Sequence, residues 1–253
     1  MDRPTDAVWQ SSELAATFLE GVRGAIPFAQ AQIDVMLRLI AGCDRPVERI
    51  LDLGCGDGVL AAAILDRHPR ARAALLDFSE PMLEAARKRF AGRAGQVDIL
   101  SVDYGQPEWT RAAAALGPFD AVVSGLSIHH QSDARKREIY AEIHDLLAPG
   151  GIFVNVEHVA SATAWVARLN DDVFVDSLAR WQPDVPREKL AATYVHRLDR
   201  DANILAPVEA QCEWLRAIGY TDADCYFKSF ELAVFGGRRA STSGTASNTP
   251  PLR

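Results

Sequence analysis

Cysteine is scarce in this sequence: Cys43, Cys55, Cys212 and Cys225 are the only four in 253 residues, and no two form a Cys-x-x-Cys pair. That spacing gives neither a paired-cysteine zinc site nor a disulfide framework, so reduced thiols, a cytoplasmic setting and no bound metal are expected. Positive charge is also short. Lys and Arg total 27 against 34 Asp and Glu, a net charge of -7, which offers no broad basic face for DNA or RNA. No apolar run reaches membrane-spanning length, and the start of the chain carries no signal-peptide pattern, so no membrane association is expected. No internal repeat is apparent. What remains is 48% hydrophobic residues over a length that suffices for one sizeable α/β domain with an appended cap.

The sequence is organised around Ile50-Leu51-Asp52-Leu53-Gly54-Cys55-Gly56-Asp57-Gly58-Val59-Leu60. A short apolar run enters a glycine-rich turn and leaves it as a helix-like segment, the first half of a βαβ unit. Glycines permit positive φ and close approach of a ligand to the main chain, and the helix start adds unpaired N–H groups. The spacing Gly54-x-Gly56-x-Gly58 departs from the dinucleotide fingerprint Gly-x-Gly-x-x-Gly. Acids around the loop disfavour a pyrophosphate and tolerate a cationic or zwitterionic ligand. The next apolar run ends in Asp77, and a carboxylate at the tip of a second strand can accept both hydroxyls of a ribose. Loop and acid together specify an adenosine-type ligand without phosphates.

Four segments then resemble the class I S-adenosylmethionine-dependent methyltransferases. Asp52 to Gly58 resembles their motif I and Leu76-Asp77-Phe78-Ser79 their motif II. Val102-Asp103-Tyr104 is similar to the acidic motif after strand three, and Leu146 to Phe153 to the motif leading into strand five. The resemblance covers roughly residues 45–160. It implies a Rossmann-like sheet of order 3-2-1-4-5-7-6 with the last strand antiparallel, and S-adenosyl-L-methionine as cofactor. Candidate cofactor contacts are Asp52, Gly54, Cys55, Gly56, Asp77, Phe78, Met82, Asp103, Tyr104 and Ser124. Cys55 reads as a small space-filling residue. For Met82 core packing is the alternative to an adenine contact, and for Asp103 a helix N-cap is the alternative to the adenine amino group.

Methyl transfer from a sulfonium is an in-line displacement, and alignment supplies much of its acceleration. A base is needed only for a nucleophile that starts protonated. The stretch after the fourth strand, Gly125 to His130, falls at the carboxyl edge of the sheet where ligands bind. His129, His130 and Glu157 are therefore the candidate catalytic groups, with helix capping and packing the alternative for the histidines. Residues 1–12 are polar and expected to be loose. Residues 1–44 form an expected helical lid, with Arg23, Phe28 and Gln32 as candidates to face the ligand. Residues 160–205 break the βαβ rhythm and read as a helical cap insertion. There Tyr194 and Arg197, with His158 from the fifth strand, are candidate substrate contacts, and an ion pair from Arg197 to Asp199 or Asp201 is the alternative. The core domain would span residues 45–239, and the Ser/Thr/Gly/Pro-rich tail 240–253 is expected to be disordered.

In the layout of lid, cap and closing segment the chain also loosely resembles the carboxy-S-adenosylmethionine synthase branch. The expected function is methyl transfer to a small-molecule acceptor, with a homodimer as the assembly considered. A non-methylating use of the same cofactor, or a nicotinamide-dependent oxidoreductase, are the alternatives.

Overall fold

The computed structural model describes residues 5–43, 45–197 and 199–241. Seven strands form one mixed sheet in the order β3-β2-β1-β4-β5-β7-β6, with β1 Arg49–Leu53, β2 Arg72–Asp77, β3 Val97–Ser101, β4 Phe119–Gly125, β5 Leu147–His158, β6 Thr221–Ser229 and β7 Leu232–Arg238. The first five spatial neighbours pair in parallel, and β7 runs antiparallel to both β5 and β6. This is the class I methyltransferase order expected from the motifs.

Strand alternation sorts the core into two layers, because successive side chains leave opposite faces of a strand. Leu51 and Leu53 join Tyr140, Ile143, Phe153, Leu215 and Phe235 on one face. Ile50 joins Met36, Ile64, Leu75, Val123 and Val154 on the other. The first face is covered by α5 (Trp109–Ala114), α6 (Asp133–Leu146) and α9 (Val208–Ile218), the second by α2 (Ala29–Ala41), α3 (Val59–Arg67) and α4 (Glu80–Arg89). A parallel sheet buried on both faces requires such near-continuous apolar strands.

A third apolar cluster lies apart from the sheet core. It joins Phe174, Val175 and Leu178 of α7 (Ala164–Trp181) to Leu190 and Tyr194 of α8 (Arg187–Val195), and both to Ala25 and Leu232. The region before β1 is more ordered than its polar composition suggests. Thr5–Gln10 forms a 3-10 helix, α1 spans Ser12–Thr17, and Phe18–Val22 continues as a π-turn. The expectation of a loose start fails for these residues because Trp9 finds buried partners described below. Residues 1–4 and 242–253 of the expected loose ends lie outside the described residues.

At the opposite sheet edge from the ligand loop, the buried Asp120 carboxylate accepts the backbone amides of Glu48 and Arg49 at 2.8 and 2.9 Å and pairs with Arg45. It ties the entry of β1 to β4. Asp120→Ala takes the acceptor from two amides at the entry of β1 and leaves Arg45 with Pro149 O alone, and should cost about 1–3 kcal/mol. Denaturant unfolding measures that loss, and affinity for S-adenosylhomocysteine should stay within about twofold of wild type.

Candidate active site

The loop after β1 takes left-handed backbone at three glycines, with φ of 65°, 54° and 77° at Gly54, Gly56 and Gly58. At Gly54 the need for glycine is also steric. A Cβ there would lie 1.9 Å from Ser127 Oγ, on the segment that follows β4. The loop hangs from the end of β2. Leu76 O accepts the amides of Gly54 and Cys55 at 2.8 and 3.0 Å, and Asp77 Oδ2 accepts the Gly56 amide at 2.8 Å. The other Asp77 oxygen accepts the Ser79 amide at 2.8 Å. Burial raises the Asp77 pKa against these amides.

The neighbouring acids do different work. Asp52 is buried and accepts the Ala61 amide at 3.0 Å, pinning the first turn of α3 to β1. Burial pushes its pKa up to about 8. Asp57 pairs with both Arg23 and Arg89, so the loop is clamped to the N-terminal segment through Arg23. Asp57 is a motif residue whose role sequence reasoning missed. Burial, reinforced by Asp77, pushes the Cys55 thiol well up, which suits a space-filling residue and not a nucleophile.

A cavity of about 880 Å³ opens beside this loop, at the upper end of the usual range for ligand sites. Asp52, Gly54, Cys55, Gly56, Asp77, Phe78, Met82 and Tyr104 line it, and so do Arg23, Gln32, His129, His130, His158, Tyr194 and Arg197. Five expected positions fare differently. Phe28 is half exposed and packs on Phe227 with centroids 6.3 Å apart, away from the cavity, because its left-handed backbone turns it outward. Asp103 turns back to accept the Gly105 amide at 2.8 Å, and Ser124 donates to Leu53 O at 2.7 Å inside the sheet. Neither reaches the cavity wall. Glu157 lies behind His129, and Arg23 reaches the wall with its guanidinium already on Asp57.

On the far side, Leu126 takes a left-handed φ of 49° and donates its amide to Val156 O at 2.8 Å. That turn carries His129 and His130 onto the cavity wall. Nδ1 of His129 lies 2.6 Å from Glu157 Oε1, and the His129 amide donates to Oε2 at 3.1 Å. Burial alone would push Glu157 up, but the His129 ring and the His158 amide more than reverse this and leave its pKa below the ordinary value. Glu157 is thus a carboxylate, and Nδ1 of His129 carries the hydrogen. Nε2 of His129 has no hydrogen-bond partner among the described residues.

His130 is placed otherwise. Its Nδ1 lies 3.1 Å from Ala202 O, and Nε2 accepts from Trp9 Nε1 at 3.0 Å. Burial, with His129 alongside, lowers its pKa well below the usual value. With both nitrogens engaged it cannot take a proton, so its candidacy as a base is corrected to a structural latch for Trp9. The Trp9 carbonyl accepts Ser79 Oγ at 2.6 Å, so one residue bridges the glycine-loop side and the histidine side. A lone Trp in a polar stretch was the only sequence signal for it. In the cap, Arg197 stacks over Tyr194 at 4.2 Å and reaches Asp199 at 3.3 Å, which realises the ion-pair alternative.

Comparison with known proteins follows this geometry. A family profile described as a methyltransferase domain matches residues 50–151. A ubiquinone/menaquinone biosynthesis C-methyltransferase of Desulfotalea psychrophila is 35% identical over 188 residues, covering 74% of this chain and 71% of the relative. The chain belongs to the class I S-adenosylmethionine-dependent methyltransferases. An uncharacterized methyltransferase of Mycobacterium tuberculosis is 34% identical over 145 residues, 54% of this chain and 65% of that protein. Human N-acetylserotonin methyltransferase in complex with S-adenosylmethionine is similar in fold, with a TM-score of 0.62 at 13% identity over 95% of this chain and 60% of that one. S-adenosyl-L-methionine is the cofactor of the family to which the chain belongs, and the nicotinamide alternative falls away. Among the described residues no helix is long and apolar enough to cross a membrane, and no three His, Cys, Asp or Glu side chains are grouped to hold a metal.

The cavity fits this cofactor on its own terms. Beside Gly56 a Cβ would find nothing nearer than Met82 Sδ at 4.0 Å, so the loop leaves room for a ligand. Asp77 lines that space with lone pairs to spare.

The raised pKa of Asp52 predicts a pH effect on the cofactor-free methyltransferase. The folded state holds this proton where the unfolded chain, at the ordinary carboxylate value of 3.8, has lost it. Its contribution is therefore full in acid and is lost as pH rises towards 8. Asp52→Asn should lose less thermal stability than wild type between pH 5 and pH 8, by at least ~2 °C. Parallel melting curves would refute the assignment.

Proposed function

We propose that the methyltransferase acts on a small-molecule acceptor whose nucleophile begins protonated, a hydroxyl above all, by in-line displacement with His129 as general base. The observation that carries this reading is that His129, oriented through Nδ1 by the buried Glu157, lines the same cavity as the glycine loop and Asp77. Bound there, S-adenosylmethionine supplies an electrophilic methyl group, and its sulfur keeps the electron pair of the broken bond.

Asp77 would accept the ribose hydroxyls, Phe78 and Met82 would flank the adenine, and the loop amides would face the amino-acid portion. His129 Nε2 would take the proton as the acceptor oxygen gains the methyl. Glu157 holds the ring in the right tautomer and stabilises the imidazolium that forms. Residues 5–43 would serve as a lid, latched at Trp9 and Arg23, and 160–205 as a cap. Together they exclude water from the transfer. The name of one relative, a ubiquinone/menaquinone biosynthesis C-methyltransferase, points to a small-molecule acceptor and supports this choice.

His129→Ala should lower kcat about 100-fold or more, and Glu157→Gln somewhat less, within the usual range for a general base. Calorimetric affinity for S-adenosylhomocysteine should be unchanged in both. Unaltered turnover in His129→Ala would sink the base assignment, and a product without an added methyl by mass spectrometry would restore the non-methylating alternative. Asp77→Asn keeps one carbonyl acceptor but loses the charge. It should weaken S-adenosylhomocysteine binding by about 1–3 kcal/mol, read by the same titration.

A further inference from the structure

His129 has a counterpart on the same wall. His158, at the end of β5, also lines the cavity, and the two rings meet edge to face with centroids 5.5 Å apart at 72°. Each imidazole has its own carboxylate. His158 Nε2 lies 2.9 Å from Glu231 Oε2, as Nδ1 of His129 lies 2.6 Å from Glu157. Asn170 on α7 donates to Glu231 at 3.0 Å, and the Glu231 amide returns to Asn170 Oδ1 at 3.4 Å. Cap helix, fifth strand and the turn before β7 therefore converge to fix one ring.

The two pairs are mirror images in tautomer. Glu231 is held ionised: burial pushes it up, and the hydrogen bond from His158, joined by Ser161 and the charge of Arg200, more than reverses this. Burial keeps His158 neutral by lowering its pKa. A carboxylate only accepts, so the hydrogen of His158 sits on Nε2 and its Nδ1 is an acceptor, whereas in His129 the acceptor is Nε2. Neither acceptor nitrogen has a hydrogen-bond partner among the described residues. Two rings 5.5 Å apart on one cavity wall, each with an acceptor nitrogen that no described residue engages, call for a ligand that brings two donors, because a buried acceptor left unpaired costs binding.

We propose that His158 is a specificity-determining residue, and that the methyl acceptor is a compact molecule with two adjacent hydroxyls, such as a vicinal dihydroxyarene, methylated on one of them. This rests on His129 acting as the base. The hydroxyl at His129 gives its proton to Nε2 as its oxygen takes the methyl, and the hydroxyl at His158 keeps its proton and donates to Nδ1. Glu231 and Asn170 are positioning residues that act through the His158 ring.

The test compares catechol, resorcinol and phenol as acceptors with S-adenosylmethionine, following methyl ether formation, and titrates each into the complex with S-adenosylhomocysteine. Catechol should give a monomethyl ether with kcat/KM roughly tenfold or more above phenol, the difference residing in KM, as expected for one unpaired buried acceptor. His158→Phe keeps a ring and removes the acceptor, and should bring the ratio to within about threefold. Equal kcat/KM for catechol and phenol in the wild type overturns the proposal, and so does failure of all three probes to bind or react. The wild-type ratio decides the matter even where the variant fails to fold. If His129→Ala keeps full turnover on catechol while His158→Phe loses the preference, the base and the His129 contact fall and only the donor contact to His158 stands. The reverse pattern overturns the fit and leaves the base in place.

Discussion

Two adjacent residues at the end of β2 hold the ligand loop by its backbone. Leu76 O takes the first two amides after β1, and Asp77 takes the third glycine-loop amide and the amide of Ser79. These bonds depend on β1 and β2 lying side by side in parallel register, Leu53 opposite Leu76. The register in turn depends on Ile50, Leu51 and Leu53 being buried on two faces at once. A slip of one residue would turn every side chain of β1 to the wrong layer and pull the loop off its anchor. The cavity exists where it does because two strand ends are locked together beneath it.

From that anchor the site is assembled by segments far apart in the chain. Ser127 fits only because Gly54 has no side chain. The left-handed turn at Leu126 then carries two histidines to the wall, and backbone in that region is sparsely populated for a branched side chain. The adjacent histidines have opposite fates. His130 is sealed between Ala202 and Trp9, while His129 keeps one nitrogen for a ligand. Residue type is the same and the positions are adjacent, and the partners differ.

The charged groups show the same dependence on partners. Of three acids around the loop, Asp52 is held near neutral form by burial, Asp57 is spent on two arginines, and Asp77 faces the cavity. Composition treats them alike. Their division follows from which backbone amides and which cations reach each carboxylate within the low-dielectric interior. Arg23 and Arg197 were both candidates to face ligand or substrate, yet each already has a carboxylate partner.

By itself the sequence determined the ligand loop, the acid at the tip of β2 and the motifs whose family resemblance implies the strand order and the cofactor. All of these rest on local patterns: apolar runs of strand length, glycines at fixed offsets, and motifs spaced along one βαβ rhythm. It also brought His129, Glu157, His158, Tyr194 and Arg197 into the candidate set, because strand ends and an irregular insertion were visible. What only the tertiary structure decided is which of those side chains are free. The partners of Trp9, Asp57 and Glu231 had no pattern to give them away, and Phe28, Asp103 and Ser124 were turned aside by contacts with their own surroundings. A hydrogen bond or an ion pair between residues tens of positions apart leaves no period and no spacing in the chain, so the state of each functional group becomes legible only once the fold has brought its partner to it.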